Sequence, residues 1–407
     1  MKVMVVSGAT YGHPSARGVF EDISAGGVEV LLAMPRSMQH PFGPDEVPES
    51  PTPSLELARL DTWHSHPNGT HLFMKGLPEL IRRFEPDIIH CVFEPWALTC
   101  LEVLACLRVL ALDVKFGIHA AEFNLHQGSG IAARVRTLIY RRVLAHCDYF
   151  LAWSPPALQL ARSFGLRTAN TDVVPAVGID TDLFRPPRVD EKQQLRETLR
   201  IARSGEIVVG YVGRLVEGKG VTDLVAAMDL ATREIGHLRL LIVGAGPLET
   251  HLKTAAISRP WMEVRGRLSQ REVAELMRTL DFLVLPSRTT ARTSEQFGLV
   301  LVEAMVSGVA VIGSTCGAIP HVIGESGWVF PEREVPYLGN LLALLASGNS
   351  ETLARASRAR SIAQSRFSHT AVANALVQIW QTTLGVCSDA TIPLAEVSGG
   401  KTVGSQP

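Results

Sequence analysis

The 407-residue sequence has no excess of charge of either sign. Its 39 Lys and Arg stand against 40 Asp and Glu, a formal net charge of -1. That balance removes any global electrostatic reason to bind nucleic acid. Paired cysteines are also lacking. The six cysteines include no C-x-x-C pair and fall mostly in apolar runs, so buried, reduced thiols are expected rather than disulfides or zinc ligands. No stretch of ~18 apolar residues is free of charge, so no spanning helix is expected. The opening apolar run ends at Ser7-Gly8, too short for a signal peptide, and a cytoplasmic protein is expected. Aromatics are scarce at 6%, but hydrophobic residues make up 46% and charged residues 19%, which excludes general disorder.

What is present is a repeated grammar. Short, near-continuously apolar, β-branched runs alternate with amphipathic segments. In the first half the runs are residues 3–7, 28–33, 88–92, 114–119 and 149–152, with helical patterns such as 76–84 and 131–145 between them. The second half restarts with runs at 207–211, 238–243, 262–264, 282–285, 309–312 and 328–330, separated by helical patterns including 221–235, 270–279 and 299–307. Strands with no polar alternation are covered on both faces, so the pattern predicts parallel sheets between helices. The expected architecture is α/β: two Rossmann-like, doubly wound domains facing across a cleft. The boundaries read as residues 1–178, an acceptor-binding domain; 179–366, a nucleotide-sugar-binding domain; 367–387, a C-terminal helix that can cross back to the first domain; and 388–407, a small, polar, disordered tail.

In open α/β sheets ligands bind beyond the carboxyl ends of the strands. After the run 207–211 comes Gly213-Arg214-Leu215-Val216-Glu217-Gly218-Lys219-Gly220, two cations among glycines just before a helix. Such a segment can neutralise a diphosphate or can be a solvated turn. After 282–285 a loop carries Glu295-Gln296-Phe297-Gly298 into the helix Leu299-Val300-Leu301-Val302-Glu303-Ala304. The free amides of that first turn form an anion site. Glu303 stands among apolar neighbours, and a carboxylate in such company usually has a partner.

These motifs resemble glycosyltransferase family 4. The Glu-x7-Glu pair Glu295…Glu303 with its internal Phe297-Gly298 is the family signature, and Gly213-Arg214…Lys219-Gly220 precedes it by about eighty residues. Pro286-Ser287, Gly317-Ala318-Ile319-Pro320 and Val174-Pro175…Gly178-Ile179-Asp180 are similar to other family segments. The resemblance implies a GT-B fold and a retaining, metal-independent transfer of a sugar from a nucleotide sugar to an acceptor. Arg214 and Lys219 would grip the donor diphosphate. Glu295 would bind the donor sugar's hydroxyls. Phe297, Gly298 and Leu299 would offer backbone amides, and Glu303 would hold the ribose. Gly213, Arg267 and Leu268 would line the nucleotide side. His119, at a strand end in the first half, would face the sugar from the acceptor side. No cofactor and no metal are expected, and no oligomeric state is implied.

The first half departs from the family's adjacent glycines after strand one. Gly8 and Gly12 are separated, and both are kept as cleft-lining candidates. His119 can face the cleft or simply be packed. Glu94-Pro95 can face the acceptor or cap a turn. Gly244-Ala245-Gly246-Pro247 lacks the third glycine of a dinucleotide loop, since position 249 is Glu249, which disfavours a dehydrogenase. A nucleotide-sugar epimerase or a non-catalytic sugar-binding protein on the same fold remain the alternatives. Arg134, Arg136, Arg141 and Arg142 share a predicted helix with apolar residues. A basic face there is ordinarily solvated, and weak peripheral contact with anionic lipid is the other reading.

Overall fold

The apolar runs of the first half assemble into one seven-stranded sheet. In a computed structural model, which describes residues 1–8, 14–36, 55–63, 73–122, 130–201, 205–291, 293–348 and 350–386, the strands are β1 (Lys2–Ser7), β2 (Glu29–Pro35), β3 (Leu55–Leu60), β6 (Ile88–Val92), β7 (Lys115–Ala120), β8 (Tyr149–Ala152) and β9 (Thr171–Val173). A small antiparallel pair, β4 (Thr62–Trp63) and β5 (Phe73–Met74), stands apart. The sheet order is β3-β2-β1-β6-β7-β8-β9, parallel throughout. The helices of this lobe are α1 (Pro14–Ala25), α2 (Leu77–Phe84), α3 (Leu98–Leu110), α4 (Ile131–Leu144) and α5 (Pro155–Ser163).

After a crossing segment and α6 (Glu191–Thr198), the second lobe repeats the plan. Its elements are β10 (Ile207–Val212), α7 (Val221–Glu234), β11 (Leu238–Val243), α8 (Glu249–Ile257), β12 (Met262–Arg265), α9 (Gln270–Met277), β13 (Phe282–Leu285), α10 (Leu299–Val306), β14 (Ala310–Ser314), α11 (Ile319–Ile323), β15 (Trp328–Phe330) and α12 (Val335–Ala346). The order β12-β11-β10-β13-β14-β15 reverses between β10 and β13. A reversal leaves a crevice at the strand tips, because the helices on its two sides lie on opposite faces. Both motif-bearing loops leave the sheet at that crevice.

The ends of the chain bind the lobes together. α13 (Ser350–Phe367) packs on α10 and β14, and α14 (His369–Leu384) returns to α1. Thr370 donates to Asp22 at 2.9 Å, and the fully buried Trp380 donates from its indole nitrogen to the Tyr149 hydroxyl at 2.9 Å. The crossing near residue 179 meets the start of α14: Ile179 donates its amide to the Phe367 carbonyl at 2.7 Å and accepts from the His369 amide at 3.1 Å. Arg196 anchors α6 to the second sheet, with Nη2 2.5 Å from Asp281 Oδ2 and Nε donating to the Thr279 carbonyl.

The sequence runs coincide with the central strands. The edge strand β3, Leu-Glu-Leu-Ala-Arg-Leu, was not among them, because its residues are only partly buried and break the continuous apolar signal. The five described cysteines, Cys91, Cys100, Cys106, Cys147 and Cys316, are buried and unpaired. The tail 388–407 and Gly12 lie outside the described residues.

Candidate active site

Two glycines let the loops at the β10/β13 reversal approach one another. Gly220 has φ +65°, and a Cβ there would stand 1.9 Å from the Pro286 carbonyl oxygen. The turn carrying Lys219 therefore rests directly on the exit of β13, and the Arg288 amide donates to the Gly218 carbonyl at 2.8 Å. Arg288 also pairs with Asp223 on α7. A Cβ on Gly244 would stand 1.8 Å from the Gly213 carbonyl oxygen. The segment Gly244-Ala245-Gly246 is thus a wall packed on the 213–215 loop, with Leu215 donating to the Ala245 carbonyl at 2.9 Å.

This packing delivers Lys219 to Glu295. The ammonium lies 2.6 Å from Glu295 Oε2, and the buried Ser287 hydroxyl donates to the same oxygen at 2.7 Å. The Glu295 backbone is held as well, its carbonyl accepting from Ala318 at 2.8 Å. Both side-chain bonds land on Oε2, so Oε1 has no hydrogen-bond partner among the described residues. Arg214 is exposed beside them and has no carboxylate partner among the described residues. Just beyond, Gly298 with φ +86° starts α10, where the amides of Leu299 and Val300 have no intrahelical acceptor.

These groups line a trough. One cavity of about 980 Å³ holds Arg214, Lys219, Ser287 and Glu295, with Glu122 reaching in from the first lobe. An adjoining cavity of about 920 Å³ shares Arg214, Lys219 and Glu295 and continues past Gly213 and Leu299 to Arg267 and Leu268. Those last two, with Leu299, meet Glu303 at the far end. Glu303 is buried, and burial pushes its carboxyl up to about 7. A positive centre flanked by carboxylates along an elongated cavity suits a ligand with a central diphosphate and hydroxyl-bearing ends.

Four expected residues, His119, Phe297, Gly298 and Gly8, line none of these cavities. His119 is 1% exposed and spends its ring elsewhere. Its Nε2 donates to the Val174 carbonyl at 2.8 Å, and its Nδ1 faces His90 Nε2 at 3.3 Å. His90 Nδ1 in turn faces the Tyr149 hydroxyl at 2.8 Å, and that hydroxyl accepts from Trp380. The carbonyl can only accept, so the donors run one way: Trp380 to Tyr149 to His90 to His119 to Val174. Both imidazoles are neutral in such a run. Burial lowers both, His119 to about 4. His119 is thus a packed histidine of the first lobe's interior and does not face a sugar. The Phe297 ring is also buried, edge-on to Trp153 at 6.3 Å and Phe367 at 5.6 Å, which leaves only its backbone near the cleft. Gly8 is buried at the end of β1, its carbonyl accepting from the Ser7 hydroxyl at 3.0 Å, and lines none of these cavities.

The sequence reading missed Glu122. It is 8% exposed, and its Oε2 accepts from the Trp96 indole at 2.7 Å. Glu94 holds the loop beneath it: Oε1 accepts the amides of Ala121 and Glu122, each at 3.0 Å. Burial, then the Glu122 charge, pushes the Glu94 carboxyl up to about 8. Both acids stand two residues past a strand end, β6 for Glu94 and β7 for Glu122. The strand-exit reading that singles out Glu94 after 88–92 resolves as its turn-holding alternative, and the same rule applied past the end of β7 reaches Glu122. The chain does contain one Asp-x-Asp, Asp180-Thr181-Asp182. It lies in the crossing, where Asp180 Oδ1 accepts the amides of Asp182 and Leu183, each at 2.9 Å.

Known proteins share both halves. A family described as glycosyl transferase 4-like domain matches residues 13–176, and one described as glycosyl transferases group 1 matches residues 206–347. The amylovoran biosynthesis glycosyltransferase AmsK of Erwinia amylovora is 29% identical over 183 residues, 44% of this chain and 45% of AmsK, so the match spans less than half of that relative. The glycogen synthase of Mycobacterium tuberculosis is 26% identical over 376 residues, 90% of this chain and 82% of that one. Among solved structures, the Anabaena protein HepE in complex with UDP gives a TM-score of 0.70 at 17% identity, over 94% of this chain and 100% of HepE. With both domain models matched in order and the two-sheet architecture shared end to end, the chain belongs to the family 4 glycosyltransferases of GT-B fold.

Proposed function

We propose that the chain transfers a sugar from a nucleotide-diphosphate-sugar to an acceptor hydroxyl with retention of anomeric configuration and without a metal ion. The observation that carries this reading is the convergence of Arg214, Lys219 and the start of α10 on one trough with Glu295 fixed at its centre. HepE has been solved with UDP and with UDP-glucose, which supports a nucleotide donor by likeness of fold. As the bond from the anomeric carbon to the phosphate oxygen breaks, its electron pair passes to the diphosphate and the sugar becomes oxocarbenium-like. Arg214, Lys219 and the α10 amides meet that growing negative charge, so they stabilise the transition state more than the ground state. Glu295 Oε1 is open to accept from sugar hydroxyls, and Glu303 stands where the ribose would lie. The acceptor oxygen bonds to the anomeric carbon on the face the phosphate leaves, and its proton passes to the departing phosphate oxygen. Arg214 and Lys219 supply the charge a divalent metal would otherwise supply. Glu122 is positioned to accept from the incoming acceptor.

The test is incubation with a panel of nucleotide sugars, following slow donor hydrolysis and then transfer to added acceptors. Release of free nucleotide diphosphate from one donor, insensitive to EDTA, supports the reading, as does a product NMR spectrum with the donor's anomeric configuration. Loss of activity on chelation with recovery on manganese overturns the metal-free part. An isomerised nucleotide sugar formed without acceptor assigns the site to an epimerase.

A further inference from the structure

Helix α4 turns an unusual set of residues outward. Ile131 is 82% exposed, Val135 49% and Leu138 68%. Steps of four and three residues place them on one helix face, which Arg142 continues. Arg134, Arg141 and Arg142 are exposed alongside, and the helix contains no acidic residue. The inward face is separately occupied by Tyr140, Val143 and Leu144, so the outer stripe is not core in the wrong place. The neighbouring end of α3 adds Val109, 80% exposed, and Leu112, 39% exposed. Between the two helices runs a groove of about 470 Å³ lined by Leu101, Leu104 and Leu107, with Arg108 and Arg142 at its edge. The nearby carboxylate Asp148 is already engaged, with the Phe116 amide at 2.8 Å and Lys115 at 3.8 Å.

Single exposed apolar residues are ordinary, but three on one helix face among arginines, with Val109 and Leu112 in the groove beside its Arg142 end, are not an ordinary solvated surface. We propose that the α3–α4 face of the first lobe docks on a bilayer bearing anionic headgroups, with the apolar stripe at the acyl boundary and the arginines on the phosphates. Neither element suffices alone. Apolar insertion of three or four side chains is weak, and so is attraction of a few arginines; together they give reversible attachment. Charge selects the partner, because the face is cationic while the whole chain is nearly neutral at -1.

The experiment is flotation of the full chain with vesicles of phosphatidylcholine alone or phosphatidylcholine with phosphatidylglycerol. The expected result is binding to the anionic vesicles only, weakened by salt. The double variant Ile131→Asp, Leu138→Asp should lose about tenfold or more in partition. Neutralising Arg134 or Arg141 to Gln should lose roughly fivefold each. All these side chains are exposed, so melting temperature and donor hydrolysis should match the wild type and separate this proposal from failure of the catalytic one. Failure of the wild type to float with anionic vesicles at low salt overturns the proposal, as does equal binding by the double variant. A wild-type dimer in solution that the double variant dissolves, with no vesicle binding, assigns the face to a second copy and also overturns it.

Discussion

The two lobes share a plan but present opposite chemistry to the cleft. The second lobe brings Arg214, Lys219 and the open end of α10 to its strand tips and fixes Glu295 by two bonds to one oxygen. The first lobe offers Glu122, backed by Glu94 and Trp96, and buries His90 and His119. The cationic half suits a diphosphate, whose charge is the same whatever sugar it carries. The acidic half suits hydroxyl donors, whose arrangement differs from one acceptor to the next.

Four substitutions probe this contrast. Trp380→Ala should have the largest effect, costing about 3–5 kcal/mol of stability. It empties a fully buried site and leaves the Tyr149 hydroxyl without its donor; a chemical denaturation midpoint close to wild type would contradict the assigned role. Lys219→Ala should lower kcat ~10²–10³-fold while the melting curve barely moves. Near-normal turnover would remove Lys219 from the donor side. Glu303 gives a pH signature. Its carboxyl is raised from 4.5 to about 7, so the native state binds the proton more tightly than the unfolded chain, and stability falls as pH rises through that interval. Glu303→Gln should therefore match wild type near pH 4 and exceed it above pH 7, by on the order of 3 kcal/mol. Thermal melts that run parallel at pH 5 and pH 8 would refute this. Glu122→Gln should be mildest. We expect about a tenfold rise in acceptor KM, from one weakened charged hydrogen bond, with donor hydrolysis unchanged. A fall in donor hydrolysis instead would place Glu122 with the second lobe's machinery.

The second lobe was legible because its candidate site residues sit in loops, or for Glu303 in the helix that follows one, directly after continuous apolar strands. The strand-exit rule placed Arg214, Lys219, Glu295 and Glu303 along one trough. It was applied one residue too early in the first lobe. His119 is still inside β7, paired opposite Leu151, so its ring is directed into the layer beside the sheet. Glu122 lies past the strand end and turns into the cleft. For Phe297 the motif concerned only the backbone amide; where its ring goes is set by Trp153 and Phe367, which come from distant parts of the chain.

The one-way run of donors from Trp380 to Val174 reaches from the last helix to the threshold of the crossing segment, and α14 is tied to α1 besides. The last helix therefore travels with the first lobe although the sequence places it after the second. Only two threads of chain join the halves, and Ile179 clasps them together through its bonds to Phe367 and His369. Any swing that widens or narrows the crevice has to flex at that neck and also slide the Phe297 ring against Trp153, because one apolar cluster runs through both lobes.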